Sequence, residues 1–139
     1  MGARRRGRIL AFQALYSWEC AETDINTLTT FPWLDKDQGS RVAPGAYDFA
    51  RLLVSGVLER KEEIDTLIDE HLENWELGRL AKVDLALLRL GCYSLRYQKD
   101  VPASVTIDEA VDIAKEFGSE DSYKFINGVL DGVRKSLGR

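Results

Sequence analysis

The sequence predicts an all-α protein of about six to seven helices. Apolar residues recur at steps of three and four along nearly all 139 residues, no segment alternates as a strand does, and only 3 prolines interrupt the chain. A chain of this length is expected to form one domain, spanning 1–139, and to bury roughly 70% of its unfolded surface. The composition, 45% hydrophobic and 30% charged, is that of a globular protein and argues against disorder.

The first helix carries a stripe of Ile9, Phe12, Leu15 and Tyr16 and opens near Arg4. Weaker apolar spacing follows over 25–34, interrupted by Pro32. Residues 31–45, with Pro32, Gly39 and Pro44, are expected to form one long loop. Next, Phe49, Leu52, Leu53, Gly56 and Val57 share one face, and Ile64, Leu67, Ile68, Leu72 and Trp75 share another. In the segment 83–95 apolar residues cover almost the whole circumference, and only Asp84 and Arg89 are charged. Such a helix needs neighbours on all sides and is expected at the centre.

Asp100 and Pro102 end that helix, because proline biases the residue before it away from the helical region. Thr106 and Glu109 have the spacing of a capping box and predict a helix start. Ile107, Ala110, Val111, Ala114 and Phe117 continue as one stripe, with Gly118 as its stop. Ser119 is then expected to cap the last helix, with Glu120 and Asp121 in its first turn and Ile126, Val129, Leu130, Val133 and Leu137 as its core stripe. Asn127-Gly128 is a hairpin signal elsewhere, but no alternating pattern flanks it here.

The chain offers little to catalysis. Its single histidine, His71, sits among Asp69, Glu70 and Glu73 and reads as a helix-surface residue. The carboxylates fall in pairs that suit helix starts and wet faces, so no acid–base pair is argued from them. Metal-ligand spacings, a phosphate-cradling Gly-Lys loop and a dinucleotide glycine motif are all absent, and no cofactor is expected. Cys20 and Cys92 both lie in apolar helical patterns and are expected to be buried thiols of a reducing compartment. No apolar run follows the N-terminal arginines as in a signal peptide, and none approaches a membrane span. A cytoplasmic location is expected.

Charge is unevenly placed. Net charge is −4, yet Arg4, Arg5, Arg6 and Arg8 put 4 of the 19 basic residues in the first eight positions, leaving 15 against 23 acidic residues in the remainder. An acidic body repels phosphate, so a nucleic acid would be met locally by that arm. Two readings stay open from charge alone: a solvated first turn, or arginine forks that grip phosphates and position an RNA. Near the other end, Phe125 lies beside the core stripe with Asp121, Tyr123 and Lys124 exposed around it, close to a helix start. It is either a core residue or a stacking platform for a base, with Asp121 accepting from a base amino group. Tyr16 and Trp18 are core or interface residues more often than stacking platforms.

These segments carry a family resemblance. The run Arg4-Arg5-Arg6, then Ala11-Phe12-Gln13-Ala14-Leu15-Tyr16-Ser17-Trp18, Leu87-Leu88-Arg89-Leu90-Gly91-Cys92-Tyr93, Val105-Thr106-Ile107-Asp108-Glu109-Ala110 and the specific closing stretch Phe117-Gly118-Ser119-Glu120-Asp121-Ser122-Tyr123-Lys124-Phe125-Ile126-Asn127-Gly128-Val129-Leu130-Asp131 together resemble the bacterial NusB transcription antitermination family. The resemblance implies an all-helical fold of two three-helix bundles that catalyses nothing. It implies binding of single-stranded boxA RNA as a heterodimer with the ribosomal protein NusE, in a complex that helps RNA polymerase read through terminators on ribosomal RNA operons. By this likeness Arg4, Arg5, Arg6 and Arg8 contact RNA backbone, Gly118, Asp121, Lys124 and Phe125 line the RNA path, and Tyr16 and Asp84 meet NusE. The chain lacks the extra lysine that some relatives place before the arm, and its residues 31–45 match nothing in the family.

Two other function classes remain at this stage: an RNA-binding subunit for ribosomal RNA modification, and a helical adaptor that binds protein alone. The first lacks any methyl-donor domain here, and the second would be indifferent to loss of residues 1–8.

Overall fold

A computed structural model describes residues 2–139. The described residues form eight α-helices and one 3-10 turn, with no strand among them, so the all-α expectation holds. The chain divides into two compact units, 1–58 and 59–139.

The first unit is built on α1 (Ala3–Ala21) and α4 (Pro44–Glu59), with the short helices α2 (Ile25–Leu28) and α3 (Lys36–Ser40) between them. Ile9, Leu10, Phe12, Ala14 and Leu15 of α1 are buried, as are Phe49, Leu53, Val54 and Val57 of α4. Leu52, expected on the buried face of α4, is 53% exposed, since it lies on the flank of a stripe defined by Phe49, Leu53 and Val57. Helices α1 and α4 come close at Gly7, where a Cβ would lie 2.8 Å from Phe49 Cδ2 and 2.9 Å from the Ala46 carbonyl oxygen.

The expected long loop at 31–45 is not one. Asp35 accepts from the Gln38 amide at 2.7 Å while Gln38 Oε1 accepts from the Asp35 amide at 3.0 Å, a capping box that starts α3 inside the segment. Asp24 caps α2 by accepting from the Thr27 amide, without a reciprocal bond. Phe31 is buried and anchors the connection, with the Trp33 ring edge-on at 5.6 Å and Tyr47 at 5.3 Å. Trp33 Nε1 donates to Gln13 of α1 at 3.0 Å, and the Tyr47 hydroxyl donates to the Gly39 carbonyl at 2.9 Å. These two short helices account for the count above the six or seven expected.

The second unit comprises α5 (Lys61–Asp69), the 3-10 turn Leu77–Arg79, α6 (Lys82–Tyr97), α7 (Ala103–Phe117) and α8 (Ser122–Ser136). Helix α6 packs against α5, α7 and α8, and all but one of the eleven positions from Leu85 to Leu95 are buried, as its all-round apolar pattern predicts. Gly91 admits Leu130 of α8, which a Cβ would meet at 2.7 Å. Arg89 is buried, and its Nε and Nη2 donate to Asp65 of α5 at 2.9 and 3.1 Å, while Lys61 reaches the same carboxylate at 2.9 Å. Burial raises the Asp65 carboxyl, but hydrogen bonds from Arg89 and Lys61 more than offset that and hold it below its usual range.

Three expected helix details are corrected. Helix α7 begins at Ala103, a turn before the Thr106 capping box, because the Pro102 carbonyl accepts from Val105 and Thr106 and proline has no amide to lose at a helix start. The Thr106 hydroxyl is buried within the helix and finds no partner among the described residues. Ser119 does not cap α8. Its amide donates to Ser122 Oγ at 3.0 Å, so Glu120 and Asp121 precede the first turn, with Asp121 as the N-cap residue. Trp75 leaves the expected apolar stripe, since α5 ends at Asp69, and it is 59% exposed.

Glycine substitutions of opposite sign test this packing. Gly7→Ala gains up to about 1 kcal/mol of helix propensity but overpacks a backbone carbonyl and a buried ring at a cost of about 1–3 kcal/mol. Urea unfolding should show a net loss. Gly128→Ala, with nothing within 4 Å of the added Cβ, should stabilise α8 by about 0.5–1 kcal/mol. In an acid titration, the Asp65 contribution is whole above its unfolded value of about 3.9 and is lost as pH falls through the lowered folded value. Asp65→Asn should flatten that part of the acid limb in a series of urea midpoints against pH.

Candidate nucleic-acid interface

In the first unit the arginine arm is the opening of α1 itself. Arg4 and Arg8, one turn apart, both lie over the Phe49 ring, with their guanidinium carbons 4.3 and 5.3 Å from its centroid. Arg8 is only 7% exposed and Arg4 is exposed. Arg5 and Arg6 are partly buried. The shared face expected for Arg4 and Arg8 is thus an aromatic contact that fixes two guanidinium groups before any ligand arrives.

Tyr16, at the far end of the same helix, is 41% exposed, with the Phe12 ring centroid 6.5 Å away. The Cys20 thiol one turn on, through its hydrogen bond and then its charge, pushes the Tyr16 phenol above its ordinary range. Cys20 is exposed, contrary to expectation, because the buried stripe of α1 stops at Leu15. Cys92 is fully buried, and burial, reinforced by the Asp65 charge, pushes its thiol far above the usual range.

In the second unit the α7–α8 junction is tight. Gly118 ends α7, where a Cβ would lie 2.7 Å from Ser122 Cβ and Oγ and 2.8 Å from the Ala114 carbonyl oxygen. The position excludes any side chain, although its φ of −91° is open to all residues. Beyond it Asp121 and Lys124 are exposed and Phe125 is partly buried, while Tyr123 is also partly buried rather than exposed as expected. Lys115 and Lys124 stand 5.1 and 5.8 Å from the Tyr123 ring centroid.

Asp121 and Phe125 line a cleft of about 280 Å³ that also takes in Trp75, Arg79, Asp84 and Ser119. Two residues predicted for separate roles, Asp84 and Asp121, therefore share one cleft. Asp84 Oδ1 is buried there without a hydrogen-bond partner among the described residues. An unpaired carboxylate oxygen withdrawn from water is costly, so Asp84 is a poorly solvated charge in the cleft wall. Trp75 and Arg79 were not legible as site residues. The available signal was a lone tryptophan set among Glu73, Asn74 and Glu76, away from any continuing apolar stripe.

A larger cleft of about 460 Å³ beside α5 and α6 holds Glu63, already paired with Arg96 at 3.4 Å. His71 lies just past α5, its Nδ1 2.9 Å from the Leu67 carbonyl oxygen. Among the described residues no three metal-ligating side chains converge, and no helix is long and apolar enough to cross a membrane.

Fold and surfaces together define a helical binding protein with a preset cationic helix start and an aromatic, acid-lined cleft. The NusB family model matches residues 5–135. The transcription antitermination protein NusB of Treponema denticola is 50% identical over 131 residues, covering 94% of this chain and 95% of that protein, and that of Myxococcus xanthus is 43% identical over 139 residues, covering 100% and 99%. Among solved structures, T. maritima NusB is similar with a TM-score of 0.82 and 41% identity, over 95% of this chain and 90% of that one. A chain from a complex of the antitermination factors NusB and NusE with double-stranded RNA gives 0.86 and 30% identity, with 98% of each covered. The chain belongs to the NusB family.

The two thiols provide a check on these surfaces. Iodoacetamide should modify native protein once, at Cys20, and a second time only after unfolding, as read by intact mass.

Proposed function

We propose that this chain is a transcription antitermination factor that binds boxA-type single-stranded RNA together with a NusE-type ribosomal protein, in support of ribosomal RNA transcription in the cytoplasm, and that it does so without catalysis. The observation that carries the reading is its full-length likeness to a NusB chain solved with NusE and RNA. The local chemistry agrees with it.

In this reading Arg4, Arg5, Arg6 and Arg8 hold RNA phosphates. Two of these guanidinium groups are already ordered on Phe49, so binding loses less side-chain entropy than a flexible arm would. Phe125 stacks a base at the edge of its cleft, Asp121 accepts from a base amino group, Lys124 supplies local positive charge, and Gly118 keeps the chain close to the junction. Tyr16 of the first unit and Asp84 of the second each meet NusE, a basic partner that complements the Asp84 charge. The acidic body gives weak affinity for arbitrary transcripts and steers a basic ribosomal protein toward it.

Fluorescence anisotropy with labelled boxA RNA, a scrambled strand and a duplex control, with and without NusE, tests the reading. Binding selective for single-stranded boxA and tightened by NusE is expected, whereas equal affinity for all three RNAs in both conditions would refute it. Phe125→Ala should cost roughly 1–3 kcal/mol of RNA binding, with its urea midpoint measured alongside to separate stacking from packing. NusE should also protect Cys20, one turn from Tyr16, from alkylation.

A further inference from the structure

We infer that Arg6 and Arg41 form a second phosphate-binding cleft, which brings the α3–α4 segment of this chain onto the RNA surface. The inference rests on the RNA-binding reading above and concerns residues 38–46, which overlap the stretch 31–45 that departs from the family in sequence.

The cleft measures about 330 Å³, with Ala3 and Arg6 of α1 on one wall, Gln38 and Arg41 on the other, and Ala46 of α4 among its lining. No carboxylate lines it, in a chain whose acidic residues outnumber its basic ones 23 to 19. Its remaining lining, Ala3, Val42, Ala43 and Ala46, brings small apolar side chains and no competing charge.

The arm divides because of Gly7. Seated on Phe49 and Ala46, Gly7 sends Arg4 and Arg8 to the Phe49 flank. Arg6, two positions from each and so on the far side at about 100° per residue, turns toward the cleft instead. Among the described residues its guanidinium meets no carboxylate. Arg41 is held by Asp37 at 2.9 Å, but the two side chains are 76% and 72% exposed. An exposed pair one helical turn apart is weak and exchanges readily with a better acceptor.

Two planar guanidinium forks with the Gln38 amide nearby match the donors a phosphate diester requires. With no aromatic ring in its lining, the cleft holds backbone and reads no base. Asp37 acts as an internal competitor that RNA displaces from Arg41.

The test is the salt dependence of RNA binding by the full chain with NusE, for wild type, Arg41→Ala, Asp37→Asn and the double variant. Arg41→Ala should lower the slope of log affinity against log salt by about 0.7, equally for boxA and scrambled strands. Asp37→Asn should tighten binding several-fold, and that gain should vanish when Arg41 is alanine. Titration with inorganic phosphate at constant ionic strength distinguishes a free-anion site: competition that depends on Arg41 but leaves the RNA slope unchanged overturns the inference. A slope unmoved by Arg41→Ala, or an Asp37→Asn gain that survives without Arg41, overturns it too, while boxA selectivity and NusE enhancement stand. Absence of wild-type RNA binding would instead overturn the antitermination reading and the cleft with it.

Discussion

The burial of α6 on every side is the constraint from which the second unit follows. A helix apolar around its circumference cannot face water, so α5, α7 and α8 must cover it, and α8 gains close approach only because position 91 is glycine. The one strongly polar group carried inward, Arg89, is tolerated because Asp65 meets it through two hydrogen bonds. At the other end of α6, Arg139 donates to the carbonyls of Leu95, Lys99 and Val101, tying the last residue to the turn that leads into α7. With α7 and α8 held against α6, the Gly118 junction sets Asp121 and Phe125 beside Asp84, and the cleft is a by-product of that packing.

In the first unit a single ring has two tasks. Phe49 packs under Gly7 as part of the α1–α4 contact and presents its face to Arg4 and Arg8. Stability and ligand readiness are coupled there: moving α1 away from α4 would loosen the seat on which two guanidinium groups are ordered. The protein concentrates positive charge where rigid backbone supports it and leaves the remaining surface acidic, an arrangement that favours selective over general affinity for polyanions.

Much of this was legible in the residues. The period of the apolar positions in α1, α4, α6, α7 and α8 established class and core, since a 3.6-residue repeat is a local property of the chain. The arginine run and the stretch 117–128 pointed to the binding segments. Local signals failed where two of them competed. Thr106 has the capping-box spacing, but the Pro102 carbonyl starts the helix earlier. Ser119 has a capping hydroxyl, but Ser122 reaches back to its amide instead. The segment 31–45 read as loop because its prolines and glycines outweighed Asp35 and Gln38, whose reciprocal hydrogen bonds start α3.

By itself, then, the sequence determined the helical class, the central helix, the buried faces and the positions of the cationic arm and the aromatic helix start, because periodicity, charge and turn chemistry act over a few residues. Tertiary structure alone decided that Arg4 and Arg8 share a ring 41 or more positions away while Arg6 faces another cleft, and that Trp75, Asp84 and Phe125 converge. Such meetings depend on how helices cross, and crossing is set by close packing among side chains far apart in the chain.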